Sequence, residues 1–460
     1  MLFFQVDFLL LFLVPLLALT IALRAMSYGK ALPWIASSAS LVFLYAYSAL
    51  SVAVAISSIL LNYFAARSLL VSLSKRVLVA AITANLAILG YFKYSILVDA
   101  TFFGGSSPFT WRLALPLGVS FYTFQQIAFL CDVYRGKITC FSFRSYMLFK
   151  LFFPQFIAGP IVHFERVRAS YERWPTFNAR SIQFGLLIFT IGMIKKLIGD
   201  HFGGVADRGF SAQADLDMYS AWASMLAFTL QIYFDFSGYC DMAVGLARMF
   251  GVSLPFNFDS PYKAQSIREF WHRWHITLSR WLRDYLYIPL GGSRYGSAHT
   301  AFALFATMAL GGLWHGAGWN FLLWGAAHGL ALTLTRFASF DAPALIKRAC
   351  LLAFVALTWV LFRSTTFDGA MQHYASLLDT TSAGLAFSSG PQVRELLAIA
   401  GAFCLCLLAP NSQHIALRFV AHRADRLAYL TVPALCCAIF ALALAFISAE
   451  TANAFIYFEF

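Results

Sequence analysis

Charged residues are scarce in this sequence. Asp, Glu, Lys and Arg make up 12% of its 460 residues, about half of the proportion typical of soluble domains. So few charged side chains cannot form a water-facing surface on a chain that must also bury 48 Phe, 20 Tyr and 11 Trp. The shortage excludes a soluble globular enzyme, a disordered chain and a nucleic-acid-binding module, and it predicts a membrane protein.

Long stretches, notably 31–66 and 295–335, contain no charged residue at all. Strands of a membrane β-barrel alternate in polarity over roughly ten residues, whereas these runs are continuously apolar, so we expect an all-α polytopic fold. A helix crosses the hydrocarbon with about 20 residues, and each of the two runs therefore predicts two helices joined by a tight turn. Further apolar runs raise the expected total to about eleven to thirteen transmembrane or re-entrant helices: 8–23, 77–92, 113–131, 181–194, 218–234, 349–362, 396–409 and 427–449.

The first apolar run has no basic residue before it, whereas Arg24 and Lys30 follow it. A signal peptide shows the opposite charge order, so we expect a retained helix whose N-terminus lies outside, on the side of the membrane away from the cytoplasm. The net charge of +12 is typical of cytoplasmic loops that face anionic lipid. Guidance of an anionic cofactor, such as a nucleotide-bearing thioester, is compatible with the same charge.

The eight cysteines form no CxxC motif. This pattern argues against a structural zinc site or a disulfide framework, and no bound metal is expected.

The stretch 152–336 differs from both ends of the chain because it collects helix breakers and ionisable residues. Two prolines and a glycine interrupt 152–160, so this segment cannot form one straight helix; a half-helix entering a cavity is one interpretation and a kinked span is another. Asp235 and Asp241 lie six residues apart, so they do not share a helix face. We interpret them as part of a structural polar network rather than as an acid–base pair.

Residues 263–294 are the most basic part of the chain. At helical spacing they predict one amphipathic helix lying in the membrane interface, with tryptophans at headgroup level. Its apolar face comprises Trp271, Trp274, Leu278, Trp281 and Tyr285. Its neighbouring polar face comprises Arg268, His272, His275, Ser279 and Arg283.

His315 lies halfway along the second uncharged run, between glycines, and is therefore expected near the middle of the bilayer. A single histidine in an apolar span is commonly structural, but the glycine-rich break and a second imidazole at His275 favour a functional role. Because burial disfavours the imidazolium, a neutral His315 can accept a proton at pH 7.

The sequence resembles the membrane-bound O-acyltransferase family, in particular its bacterial branch that contains the alginate O-acetylation subunit. The resemblance covers about residues 115–335, and the remainder matches in hydropathy alone. It is carried by these motifs: Phe121-Tyr122-Thr123-Phe124-Gln125, Phe153-Pro154-Gln155, Ala158-Gly159-Pro160, Asp235-Phe236-Ser237-Gly238-Tyr239, Phe270-Trp271, Trp274-His275, Ser279-Arg280-Trp281-Leu282-Arg283-Asp284-Tyr285-Leu286-Tyr287-Ile288-Pro289-Leu290-Gly291-Gly292, and Gly312-Leu313-Trp314-His315-Gly316-Ala317. One departure is His272, where relatives usually carry Arg.

The resemblance implies a helical bundle around a central funnel, with His315 and His275 as the catalytic residues. It also implies O-acyl transfer, with acetyl favoured, from a cytoplasmic thioester such as acetyl-CoA or an acyl carrier, and no bound cofactor. The group would pass to a periplasmic transferase that modifies an exported polysaccharide. Three domains are expected: transmembrane helices in 1–110, a catalytic core in 111–340 and further transmembrane helices in 341–460.

The basic stretch offers a place for the donor. We expect Arg268, Arg280 and Arg283 to bind the donor's phosphates on the cytoplasmic side. His275 is expected either to orient the acceptor or to donate a hydrogen bond to the thioester oxygen.

Other classes of function stay open at this point. A proton-coupled transporter of an anionic solute, with His315 as relay, predicts repeated halves with matching broken helices, whereas the breaks here cluster in one region. A metal-dependent hydrolase would use His272, His275 and His315, and lacks a nearby carboxylate in a familiar ligand pattern. An inert scaffold for periplasmic enzymes would tolerate the loss of His315.

Overall fold

A computed structural model describes residues 3–104, 115–156, 159–172, 178–212, 216–338, 341–381, 393–421, 436 and 438–440. Within these ranges the regular elements are helices and no strand occurs, which confirms the all-α prediction. The α-helices are α1 (Val14–Ala25), α2 (Leu32–Tyr45), α3 (Ala49–Ser72), α4 (Lys75–Phe102), α5 (Val119–Tyr134), α6 (Phe143–Lys150), α7 (Phe153–Phe156), α8 (Phe164–Glu172), α9 (Ala179–Ala212), α10 (Met218–Met249), α11 (Ile267–Arg273), α12 (Ile276–Leu282), α13 (Ser297–His315), α14 (Trp319–Phe337), α15 (Ala344–Arg363), α16 (Phe367–Leu378), α17 (Val393–Leu408) and α18 (Ser412–Ala421).

Several helices are long and apolar enough to cross a membrane, as a multi-pass protein requires. In the described part of the chain five pass this test: Phe8–Ala25, Ala49–Ser72, Lys75–Phe102, Ala179–Ser211 and Ala344–Arg363. The segments Val393–Leu408 and Ser412–Arg418 pass only as a pair bent by 50°. The other predicted runs are helical but shorter or interrupted by polar residues, and 427–449 falls almost wholly outside the described residues.

Both of the long uncharged runs fold as two helices, as their length predicts. The run 31–66 forms α2 and the first part of α3, and Ser48 caps α3 by accepting a hydrogen bond from the amide of Leu50 at 3.1 Å. The run 295–335 forms α13 and α14, which are separated by the short turn 316–318. The turn between α13 and α14 immediately follows His315.

The contacts divide the chain into two compact units. The first comprises Met1–Met193, Tyr239–Phe256 and Arg418–Glu450. The second comprises Ile194–Gly238, Asn257–Leu417 and Thr451–Phe460. All five predicted site residues belong to the second unit.

In the first unit, the proline-containing stretch 152–160 is broken as predicted. Helix α6 ends at Lys150, and α7 is a single turn whose residues are buried; residues 157–158, which include Ala158 of the family-like motif, lie outside the described part. Gly118, with φ +74°, begins α5 against α7. A Cβ at Gly118 would lie only 3.1 Å from Phe156 Cδ1 and closer still to its carbonyl oxygen.

Candidate functional site

Helices α13 and α14 form a closely packed hairpin that carries His315. A Cβ added at Gly312 would lie 2.9 Å from the Cα of Gly325, so glycine at both positions lets the two backbones approach. His315 is the last residue of α13, is 5% exposed, and precedes the extended Gly316. The histidine is therefore held at a helix–helix turn rather than inside a continuous helix.

The predicted amphipathic helix over the basic stretch is wrong as a single element. Helix α11 ends at Arg273, and α12 begins at Ile276. Between them His275 adopts a left-handed conformation, with φ 42° and ψ 53°, which a right-handed helix cannot accommodate. The break turns the chain, so residues on either side no longer share the predicted faces.

The apolar half of that prediction is confirmed, and the polar half is wrong at His275. Trp271, Trp274, Leu278, Trp281 and Tyr285 are all buried.

Among the residues assigned to the polar face, His272 is exposed, whereas His275 is completely buried. The sequence therefore located the buried tryptophans correctly but placed His275 on the wrong side.

His275 is held by Asn257, which lies in the loop before α11. Its Nδ1 is 3.2 Å from Asn257 Oδ1. The same oxygen accepts hydrogen bonds from the amide and the hydroxyl of Thr277 at 3.1 and 3.0 Å. The backbone carbonyl of Asn257 accepts from the amide of Ile276 at 2.9 Å. Asn257 thus caps the start of α12 from a distant position in the sequence.

The structure brings His275 and His315 together. Their ring centroids are 6.4 Å apart, with the planes at 61°. The ring of Phe236 packs edge-on against His275, with ring centroids 4.8 Å apart. The rings of Trp324 and Phe362 pack against His315, with centroids 5.2 and 5.4 Å from the centroid of the imidazole. Two buried imidazoles packed among aromatic side chains can bind and deprotonate a hydroxyl group.

Burial sets the charge state of His275. It lies at the break between two seven-residue helices, which are too short to span a membrane. Loss of hydration disfavours the imidazolium and lowers the pKa of His275 from 6.5 to about 3. The imidazole is therefore neutral at pH 7, with one ring nitrogen protonated and the other able to accept a hydrogen bond.

The three arginines predicted to bind the donor are not among the buried residues that enclose His275 and His315. Arg268 is exposed and Arg280 is half-buried. The side chain of Arg283 is 59% exposed and donates to Asp284 at 2.7 Å. These cations lie at the surface of the second unit.

Asp235 lies in a buried polar cluster, as expected from the sequence, but sequence reasoning did not select its partners Lys196 and Asp200, nor Asn257. Lys196 Nζ lies 2.8 Å from Asp235 and 2.6 Å from Asp200, and Asp235 precedes Phe236, which contacts His275. A lysine in one apolar run and an aspartate in another is a readable signal for such a pair. No signal in the sequence identifies Asn257.

The chain is similar to known membrane-bound acyltransferases. The model of the membrane-bound O-acyltransferase family matches residues 114–362. A peptidoglycan O-acetyltransferase of Helicobacter pylori is 34% identical over 92% of this chain and 90% of its own length. A probable alginate O-acetylase of Azotobacter vinelandii is 41% identical over 66% of this chain and 63% of its own length. A teichoic acid D-alanyltransferase of Streptococcus thermophilus is 27% identical over 47% and 56%.

Proposed function

Because this chain belongs to the membrane-bound O-acyltransferase family, we propose that it moves an acetyl group from a cytoplasmic thioester toward an exported polysaccharide. The chain is a multi-pass membrane acyltransferase; the acetyl group, the donor and the acceptor are the proposal. The observation that carries it is the buried pair of imidazoles, His275 and His315, with ring centroids 6.4 Å apart.

The proposed reaction is direct attack of a hydroxyl group on the thioester. A carbon–oxygen bond forms at the carbonyl carbon, the carbon–sulfur bond breaks, and an ester and a free thiol leave. His315 takes the hydroxyl proton and returns it to the departing sulfur, a role worth about 10²–10⁴-fold in rate. No Ser or Cys stands beside a histidine in a recognisable nucleophile motif, which favours a ternary complex over an acyl-enzyme.

Charge that develops on the thioester oxygen needs a hydrogen-bond donor. The indole nitrogen of Trp324 is buried and has no hydrogen-bond partner among the described residues, and its ring lies edge-on to His315. An indole nitrogen can only donate. Trp324 is therefore the proposed oxyanion donor.

The donor is proposed to be acetyl-CoA or an acyl carrier thioester, bound as a substrate without any resident cofactor. The exposed cations Arg268 and Arg283, with the half-buried Arg280, supply positive charge for its phosphates. Basic loops that face anionic lipid suit the cytoplasmic side. The N-terminus is proposed to lie in the periplasm of a bacterial inner membrane, because Arg24 and Lys30 follow the first apolar run.

The acceptor is proposed to be a glycan of the cell envelope, reached through a periplasmic transferase that receives the acetyl group. The relatives named for peptidoglycan and alginate O-acetylation support a saccharide hydroxyl as the final acceptor. The match that covers 92% of this chain is to the peptidoglycan enzyme, so peptidoglycan is tested beside the secreted polysaccharide.

The decisive experiment measures ester-linked acetate on both polymers in cells that express wild type or His315→Ala at matched membrane levels. We expect the acetate to be lost in the variant and retained in His272→Ala, which changes an exposed imidazole nearby. Unchanged acetate on both polymers in His315→Ala would refute the proposal. Vesicle uptake of anionic solutes would then test the transporter alternative.

A further inference from the structure

The side-chain orientation of Asn257 follows from its contacts. The amide of Thr277 carries a proton and can only donate, so the Asn257 atom 3.1 Å from it is the oxygen. An oxygen at this position accepts hydrogen bonds and has none to give. The His275 nitrogen 3.2 Å from the same oxygen must therefore be protonated.

We infer that Asn257 is a positioning residue that holds His275 in the Nδ1–H tautomer and leaves a lone pair on Nε2. His275 Nε2 is buried and has no hydrogen-bond partner among the described residues. Because the imidazole is neutral, the protonated Nδ1 excludes a proton on Nε2. The buried nitrogen can then only accept.

This assignment decides between two roles for His275 and rests on the proposed function. A thioester carbonyl oxygen has no proton to give, so it cannot bind to an accepting nitrogen. A second hydroxyl group of the acceptor can, whereas the attacking hydroxyl gives its single proton to His315. His275 therefore orients the acceptor by accepting a hydrogen bond from that second hydroxyl group, and oxyanion stabilisation must come from another donor such as Trp324.

A purely structural role for Asn257 is the competing explanation, because the same side chain caps α12. The chain offers a matched control: Ser266 caps the neighbouring α11 by accepting from the amide of Glu269 at 3.2 Å. Loss of either cap is expected to lower the melting temperature of the protein to a similar extent. The Asn257 cap alone contacts His275.

The test is nitrogen-15 NMR of the full chain in lipid bilayers, labelled at histidine, with the His275 signals assigned by their absence in His275→Gln. Wild type is expected to show a protonated Nδ1 and an unprotonated Nε2. Asn257→Asp keeps the accepting oxygen and should keep this tautomer, whereas Asn257→Leu should lose it. Ser266→Ala should leave it unchanged.

The same variants are then assayed for thiol release from acetyl-CoA in membrane vesicles. We expect Asn257→Leu to lower kcat by about 10-fold or more with a smaller change in KM, and Asn257→Asp to restore most of it. A protonated Nε2 in wild type would overturn the inference. So would an unchanged tautomer in Asn257→Leu.

Wild type with the expected tautomer but no acetate transfer in cells would refute the proposed function and leave the tautomer assignment standing. If Asn257→Leu fails to fold, the wild-type and Asn257→Asp spectra still decide the inference.

Discussion

Lys196 and Asp235 form an ion pair inside the second unit, with Nζ and Oδ1 2.8 Å apart and side chains 1% and 3% exposed. Asp200 completes the cluster at 2.6 Å from the same ammonium. Gly199 permits this approach, because a Cβ there would lie 2.9 Å from the amide nitrogen of Asp235. The cluster thereby fixes α9 against α10 at the residue that precedes Phe236, and Phe236 packs against His275.

Replacement of Lys196 by Met should strongly destabilise the protein. It leaves Asp235 buried without its cation, a change expected to cost about 3–5 kcal/mol. Thermal unfolding in detergent micelles measures the effect. Lys347→Met is the control, since its partner Asp341 is fully exposed and the loss should stay below about 1 kcal/mol. Equal destabilisation by the two variants would contradict this account.

Gly312→Ala should reduce acetate transfer by separating α13 from α14. The new methyl group would lie 2.9 Å from the Cα of Gly325 and closer to a backbone carbonyl, so neither neighbour can yield without moving the hairpin that ends in His315. Gly401→Ala is the matched change in α17, where nothing lies within 4 Å; it should be neutral or slightly stabilising. Full activity in Gly312→Ala would show that the hairpin spacing is unimportant.

The acid sensitivity of the fold should depend on His275. Its pKa is about 3 when folded and about 6.5 when unfolded, so between these values the unfolded chain binds a proton that the folded chain does not. The free energy of unfolding therefore falls as the pH falls, by up to about 1.4 kcal/mol per unit.

Melting temperatures measured between pH 7 and pH 4 test this. His275→Gln should show a shallower decline than wild type, whereas His272→Gln, which changes an exposed residue, should follow the wild-type slope. If the melting temperatures of all three proteins fell equally with pH, the lowered pKa of His275 would be refuted.

The positions of the helices could be predicted because hydropathy is a local property. Runs 31–66 and 295–335 each gave two helices, and helical spacing identified the buried Trp271 and Trp274. The pairing of His275 with His315 came from the family resemblance, and the structure places their rings 6.4 Å apart.

The break at His275 could not be predicted, because its cause lies outside the local sequence. No glycine marks the left-handed residue, and the capping oxygen comes from Asn257, 18 residues earlier. Lys196 differs, because a lysine beside an apolar run is a readable signal for a buried ion pair; only the identity of its partner Asp235, which is remote in the chain, required the structure.

Trp324→Phe should lower kcat for thiol release while leaving the protein folded. The substitution keeps an aromatic ring beside His315 but removes the indole N–H together with part of the buried ring system, and loss of one oxyanion donor costs about 10²–10³-fold. The control is Trp222→Phe, because the indole nitrogen of Trp222 already donates to the carbonyl of Leu377 at 3.0 Å. Equal kcat values for Trp324→Phe and wild type would remove Trp324 from the mechanism.

Neutralising Arg268, Arg280 and Arg283 together to Gln should raise the KM for acetyl-CoA in membrane vesicles without changing kcat. Arg268 and Arg283 are exposed, whereas the imidazole pair is buried, so the three cations are expected to contribute to donor binding and not to the chemical step. Phosphate contacts weaken with salt, so the KM of wild type should rise with ionic strength and that of the triple variant should rise less. Arg208→Gln removes an exposed arginine that pairs with Glu395 and should leave KM unchanged. A triple variant with wild-type KM at low salt would show that the donor's phosphates bind elsewhere.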